Sequence, residues 1–190
     1  MIANDWQLSG VLTAGSGTPY DVGFSFQNGS GINQTLTGSS VYAPRVVVTG
    51  DPGSGCSSNQ YAQFNTAAFS VPAPSATNPS VGTESSRNYL IGCPDHTVDL
   101  AIARNIRVFG GDRELQLRVD VFNVFDSVVY SARNTTLQVA SPTSLVQTNN
   151  QYDAAGNLVA TRLTPQNSGF GAATGANDLR RVQVQIRFQF

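Results

Sequence analysis

The chain has 190 residues and a formal net charge of −1, because 11 basic side chains nearly balance 12 acidic ones. Charged residues make up only 12% of the sequence and every basic residue is an arginine, so the composition excludes a basic nucleic-acid-binding surface and a charged disordered tail. No apolar run approaches the ~18 residues that a membrane-spanning helix needs. Any membrane-spanning part must therefore consist of strands.

The first predicted strand covers residues 6–24. Apolar residues fill its even-numbered positions, which is the period of a strand with two unlike faces. The segment GSGTP at 15–19 interrupts the pattern, and Pro19 marks a bulge or an edge beyond the membrane because it has no amide hydrogen for a ladder. Trp6 near one end and Tyr20 near the other fit the aromatic belts at the two membrane interfaces.

Residues 28–95 form a long excursion rich in glycine, serine, proline and asparagine. A loop of this length is unusual inside a compact soluble domain but normal on the outside of a membrane barrel. It contains both cysteines, Cys56 and Cys93, which make a poor zinc site because the chain has a single histidine. We expect a disulfide, with free thiols as the alternative, and a disulfide implies an oxidising compartment.

Two further strands, at 97–109 and 113–125, are predicted to form a hairpin with the tight turn GGD at 110–112. Arg104 breaks the apolar face of the first of them. Either a bulge shifts the register there, or Arg104 lies near the inner interface of the membrane that the barrel crosses and extends its charge to the headgroups. The polar face of the second strand carries Gln116, Arg118 and Asp120.

A second long excursion covers residues 126–178 and leads to the last strand at 179–190. Within the excursion, YDAAGNLVATR at 152–162 predicts a hairpin with a Gly-Asn turn. From Arg181 to the end, apolar and polar residues alternate without exception, as a barrel strand of ~9 to 11 residues between lipid and a wet lumen requires. The apolar residues are Val182, Val184, Ile186, Phe188 and Phe190, and the polar face includes Gln183, Gln185 and Arg187.

These strands predict an all-β fold in which four antiparallel strands run up, down, up and down as the last part of a transmembrane β-barrel. The short turn lies on the periplasmic side, so both long loops are extracellular and the C-terminus is periplasmic. A barrel needs about eight strands or more, so we expect the four to belong to a larger barrel, with a small barrel of several copies as the alternative. The predicted lumen-facing residues, which solvate the wall or contact a plug or ligand, are Gln116, Arg118, Asp120, Gln183, Gln185 and Arg187. Loop tyrosines that recognise a ligand or pack the loops themselves are Tyr42, Tyr61, Tyr89 and Tyr152.

Several motifs occur in an order that resembles the C-terminal region of TonB-dependent outer-membrane receptors of the Oar-like type, which are common in Acidobacteria. They are WQLSGVLTAGSGTPY at 6–20, FNTAAF at 64–69, RNYLIG at 87–92, DLAIARNI at 99–106, LQLRVDVFNVFD at 115–126, GFG at 169–171 and RRVQVQIRFQF at 180–190. The alternating strand that ends at Phe190 also resembles the C-terminal strand of bacterial outer-membrane barrels. In that family this strand, here Val182, Val184, Ile186, Phe188 and Phe190, is recognised by the barrel-assembly machinery.

The resemblance implies a barrel of about 22 strands that holds a plug and takes up an unknown substrate with energy from TonB. Outer-membrane lipid is then a partner, whereas TonB would act through upstream regions that this chain lacks. The start of the chain has no signal-peptide pattern, so we expect it to be the downstream piece of a longer precursor.

A rival interpretation is a soluble or secreted β-sandwich, a binding or adhesion module in which the same apolar faces form an ordinary core. An enzyme is not predicted, because the only cluster of nucleophile, base and carboxylate lacks an oxyanion-hole signature. That cluster consists of Cys93, Asp95, His96 and Asp99. Asp51 in GDPGSG predicts a turn and not a calcium ligand, and no cofactor or metal is predicted.

Overall fold

The computed structural model describes residues 5–27, 45–72, 85–108, 113–141, 144–177 and 179–190. In chain order the strands are β1 (Trp6–Gly15), β2 (Pro19–Tyr20), β3 (Gly23–Phe26), β4 (Val47–Val48), β5 (Phe69–Ser70), β6 (Leu90–Ile91), β7 (Asp95–Arg107), β8 (Glu114–Phe122), β9 (Ala132–Arg133), β10 (Thr136–Ser141), β11 (Ser144–Gln147), β12 (Ala173–Gly175) and β13 (Arg181–Gln189). Short 3-10 helices cover Thr66–Ala68, Ala160–Arg162 and Pro165–Asn167. Within the described ranges, no helix has the length and apolar character that would let it cross a bilayer.

The chain divides into two compact units. Unit 1 comprises Met1–Ser16, Pro94–Val129 and Asn177–Phe190, and unit 2 comprises Gly17–Cys93 and Tyr130–Ala176. The sequence positions of the two units alternate, so both long excursions contribute to unit 2.

Unit 1 is a four-stranded sheet in the order β1-β7-β8-β13, and each neighbouring pair is antiparallel. The sheet therefore has the predicted up-and-down order. At one end, β7 and β8 are connected within a few residues, and the backbone N–H of Val108 donates to the carbonyl of Arg113 at 3.1 Å. The predicted turn residues Gly110, Gly111 and Asp112 lie outside the described residues. At the other end, both connections are long.

The predicted single strand over 6–24 is wrong beyond Gly15. Pro19 and Tyr20 pair with β6, and β3 runs parallel to β10, so these residues belong to two small sheets of unit 2. Just after the end of β1, the backbone at Gly17 lies so close to that of Gly92 that a Cβ atom would be only 1.6 Å from the Gly92 carbonyl oxygen. The other predicted strands, at 97–109, 113–125 and 179–190, correspond to β7, β8 and β13 with ends shifted by one to three residues.

Unit 2 has an apolar core of its own, although the sequence predicted two separate loops over 28–95 and 126–178. Phe170, Leu90 and Val46 are fully buried there. The ring of Phe64 contacts those of Phe69 and Phe170 edge to face, with centroid distances of 5.5 and 5.2 Å. The described parts of both excursions therefore pack around shared aromatic residues, and the burial of such large apolar side chains stabilises a compact unit.

Candidate functional site

The apolar face of the unit 1 sheet is continuous across all four strands. Residues that pair in neighbouring antiparallel strands point to the same face, so the register defines rows across the sheet. The rows are Gly10, Leu100, Val121 and Val182; then Leu8, Ile102, Val119 and Val184; then Trp6, Arg104, Leu117 and Ile186; and then Ile106, Leu115 and Phe188. Leu8 is 74% and Val184 is 64% exposed, so no described part of the chain covers this face.

The opposite face brings the six predicted lumen residues together as three opposed pairs. These are Gln183 with Asp120, Gln185 with Arg118, and Arg187 with Gln116. The Arg118 guanidinium donates to the Asp120 carboxylate at 2.8 Å, and the Gln116 amide donates to Asn105 on β7 at 3.0 Å. Three of the six residues, Gln116, Arg118 and Asp120, therefore have polar partners within the sheet. The contact of this polar patch with a plug or a ligand stays a prediction.

Arg104 lies in the apolar face without a bulge. The pairing of β7 with both neighbouring strands is unbroken. Arg104 lies opposite Trp6 on β1 and opposite Leu117 on β8, so the bulge alternative is wrong. The guanidinium carbon lies 5.1 Å from the centroid of the Trp6 ring. The Nε atom of Arg104 is buried and has no hydrogen-bond partner in the described part of the chain.

The FNVFD segment of the fifth motif terminates β8. Asn123 and Asp126 both have positive φ angles, of 51° and 55°. The carboxylate of Asp99 accepts the backbone N–H of Asn123 at 2.8 Å, and the side chain of Asn123 accepts from Ser127 and donates to it. Asparagine and aspartate tolerate this left-handed conformation, so the motif forms a hydrogen-bonded turn at the end of β8.

The three motifs that fall in the long excursions form the aromatic core of unit 2. FNTAAF supplies Phe64 and Phe69, RNYLIG supplies Leu90, and GFG supplies Phe170. Gly171 adopts a φ of 85°, and a Cβ there would lie 2.4 Å from the Thr66 side chain. These motifs are therefore packing elements, since each brings a large apolar side chain or a required glycine to one core.

The disulfide and the half-buried Tyr20 lie in the same unit. Cys56 and Cys93 are bonded, with their Cα atoms 4.7 Å apart. The Tyr20 hydroxyl donates to the carbonyl of Gly55 at 2.7 Å, and the guanidinium carbon of Arg133 lies 4.4 Å from the Tyr20 ring centroid. Burial raises the pKa of Tyr20 to about 12, which the Arg133 charge opposes. Tyr20 thus packs against the core of unit 2 and does not extend the apolar face of the sheet, as the predicted strand required.

Unit 2 also has a polar depression of about 570 Å³ that the sequence did not predict. It lies where the start of β10, the short helix Pro165–Asn167 and β3 come together. Hydroxyl, amide and one guanidinium group line it, from Ser25, Asn134, Thr136, Gln138, Asn149, Thr161, Arg162, Gln166, Asn167 and Ser168. Arg162 is held by a hydrogen bond to the carbonyl of Thr148 at 2.7 Å. No motif spacing marks it, because its residues come from four separate parts of the chain.

The other predicted positions take structural roles. Asp51 accepts the backbone N–H of Gly53 at 2.9 Å in a turn, and the 152–162 hairpin is closed by a bridge between Tyr152 and Leu158. In that hairpin the backbone N–H of Asn157 donates to Asp153 and holds the pKa of this carboxyl below its usual value. Tyr89 packs against the core, while Tyr42 lies outside the described residues. In the described part of the chain, no three His, Cys, Asp or Glu side chains form a group that could hold a metal ion.

Comparison with known proteins agrees with the two-faced sheet. A search of curated proteins and a search of solved structures each found no match to the chain. The family model described as "Outer membrane beta barrel domain" matches residues 1–183, which is nearly the whole chain. The predicted fold class, all-β with antiparallel strands of an outer-membrane barrel, is therefore confirmed, and the chain belongs to the outer-membrane β-barrel domain family.

Proposed function

We propose that this chain forms wall strands and surface loops of a TonB-dependent outer-membrane receptor of the Oar-like type. The observation that carries the proposal is the sheet of unit 1, which has one continuous apolar face, an opposed polar patch and both long connections at the same end. Barrels of this kind place lipid on the apolar side, a lumen on the polar side and long loops outside the cell. In this orientation the C-terminus is periplasmic.

The resemblance of the ordered motifs supports the receptor class over a simple porin. Unit 2 adds a reason, because a compact, disulfide-closed structure in the loop region suits selective capture of a ligand more than free diffusion. Within it, the polar depression around Arg162 is the site that we assign to first contact with the transported molecule. Its amide and hydroxyl lining fits a polar solute.

Uptake is tested by comparing the solutes that cells deplete from a defined medium. We expect at least one solute to be depleted by wild-type cells, and to remain in the medium of cells that lack the gene for this protein or the gene for TonB. A protonophore should reproduce the defect, because TonB transmits the energy of the inner-membrane proton gradient. Depletion that is lost with the gene but persists without TonB would identify a passive barrel instead.

The role of the polar depression is tested by a substitution of Arg162. Arg162→Ala should reduce depletion of that solute while the protein remains at its normal level in the outer membrane. Arg45→Ala is a matched control, since Arg45 lies in unit 2 outside this depression and donates to the carbonyl of Ser85 at 3.2 Å. Equal uptake by Arg162→Ala and Arg45→Ala would show that the depression does not take part in transport.

A soluble β-sandwich requires the apolar face of the sheet to pack against a second sheet. Val182, Val184 and Ile186 are instead exposed in this structure. No observation favours the sandwich, and the absence of enzymatic activity stays a prediction.

A further inference from the structure

The cation of Arg104 is surrounded by apolar side chains. Its row contains Trp6, Leu117 and Ile186, and its nearest neighbours on the same face of β7 are Ile102 and Ile106. A charged residue on a lipid-facing surface is costly at the bilayer centre and tolerated near an interface. Arg104 therefore needs a polar contact at its own depth in the membrane.

None of the described residues supplies an anion for it. Among the described residues, the ion pairs of unit 1 are Arg107 with Glu114, Arg118 with Asp120, and Arg180 with Asp126. The Nε–H of Arg104 is buried, and no described residue accepts its hydrogen bond. Stacking over Trp6 holds the guanidinium and weakly stabilises its charge, but an aromatic ring does not replace a carboxylate or a phosphate.

The position along the strand indicates which anion is available. Arg104 is three residues before the end of β7 at Arg107, which corresponds to about 10 Å along the strand. This is the end of the sheet with the short connection. Trp6, the first residue of β1, lies at the same level, and tryptophan is enriched at the depth of lipid headgroups.

We propose that Arg104, stacked on Trp6, binds the phosphate of a phospholipid in the membrane leaflet that meets this end of the sheet. The planar guanidinium presents paired N–H groups that match two phosphate oxygens. The surrounding isoleucine and leucine side chains contact the acyl chains of the same lipid. The site depends on the membrane orientation proposed above, in which that leaflet is the periplasmic one.

The test is a lipid titration of the full-length protein in detergent, followed by native mass spectrometry with phosphatidylglycerol as the probe. We expect Arg104→Gln to weaken binding of the tightest lipid about tenfold, because a charge-assisted pair is lost. The lipid affinity of Arg104→Lys should lie between those of the wild type and Arg104→Gln, since lysine keeps the charge but not the paired donors. Arg107→Gln is the matched control: it removes an exposed arginine from the opposite face of the same strand, and lipid binding should not change.

A diacylglycerol, which lacks the phosphate, should not occupy the site, and inorganic phosphate should not displace the lipid. The proposal is overturned if Arg104→Gln binds phosphatidylglycerol as tightly as the wild type, or if the two glutamine variants lose affinity equally. If Arg104→Gln does not assemble, the lysine variant decides, and wild-type affinity in it would also overturn the proposal. Solute uptake that persists without TonB, together with lipid binding that depends on Arg104, would count against the receptor function alone.

Discussion

Single residues of the sheet have roles that depend on the face to which they point. Val184 and Gln185 are neighbours in β13, yet the register places Val184 in a row with Ile102 and Leu8, and Gln185 opposite Arg118. The same substitution should therefore have different consequences at the two positions, because in the proposed barrel one side chain meets lipid and the other meets the water of the lumen.

Val184→Arg should destabilise the membrane-inserted protein by about 2–4 kcal/mol, whereas Gln185→Arg should be nearly neutral. The physical reason is the desolvation of the guanidinium near the middle of the bilayer. The measurement is guanidinium-chloride unfolding of the full-length protein in lipid vesicles. Equal losses at the two positions would contradict the assignment of one face to lipid and the other to the lumen.

Tyr20 should make unit 2 sensitive to alkali. The folded-state pKa is about 12 and the ordinary value is 10.0, so below pH 10.0 the tyrosine is neutral in both states and its contribution is fully present. As the pH rises towards 12, only the unfolded state ionises, and the stabilisation is lost. Tyrosinate absorbance and near-ultraviolet circular dichroism of the wild type and Tyr20→Phe measure this. An alkaline transition of the same midpoint and size in Tyr20→Phe would rule out Tyr20 as its origin.

At the scale of elements, short strands and 3-10 turns of unit 2 depend on contacts between distant segments. The helix Thr66–Ala68 is capped by Asn65, and Phe69 directly after it packs against Phe170 about a hundred residues later. None of the described strands of unit 2 is long enough to be stable by itself. The core and the disulfide therefore hold this unit together.

Reduction of the Cys56–Cys93 bond should destabilise unit 2 by about 4 kcal/mol on the chain-entropy relation for a loop closed over a separation of 37 residues. Limited proteolysis with and without reductant measures the effect, and we expect new cleavage within the loop between the two cysteines. The double variant Cys56→Ser/Cys93→Ser is the control, because it should be sensitive under both conditions. Wild-type protein that resists protease equally with and without reductant would show that the core alone holds the unit.

At the scale of the whole molecule, the sheet has two edges. β1 and β13 each have one neighbour among the described strands. Unpaired backbone N–H and C=O groups cost several kcal/mol each in hydrocarbon. In the membrane, these edges must therefore pair with further strands, either of the same protein or of other copies.

Substitution of Phe190 should change the assembly of the protein into the outer membrane but not its stability once assembled. Phe190 is 98% exposed, and its ring lies tilted against that of Phe188 with a centroid distance of 6.2 Å. Phe190→Ala should therefore change the unfolding free energy of the assembled protein little, but it should lower the amount in the outer membrane if the assembly machinery recognises this residue. Membrane fractionation measures the amount, and Leu179→Ala, also exposed, is the control. Normal amounts of both variants would exclude Phe190 from the assembly signal.

The sequence alone determined the sheet of unit 1. Strict alternation in β13 and near-strict alternation in β7 and β8 reveal two unlike faces, because the side-chain period of a strand is local. The same local rule misassigned Tyr20, Val22 and Phe26. Their alternation was correct, but periodicity does not say what covers an apolar face, and here it is the core of unit 2.

Only the tertiary structure decided how the long excursions fold. The pairing of Phe64 with Phe170, the parallel contact of β3 with β10 and the polar depression around Arg162 each join segments far apart in the chain. Such contacts depend on which apolar groups from distant segments are buried together, and the pattern of neighbouring residues does not determine that. Likewise, the sequence placed Arg104 on the apolar face, but the unbroken register and the stacking on Trp6 came from the strands beside it.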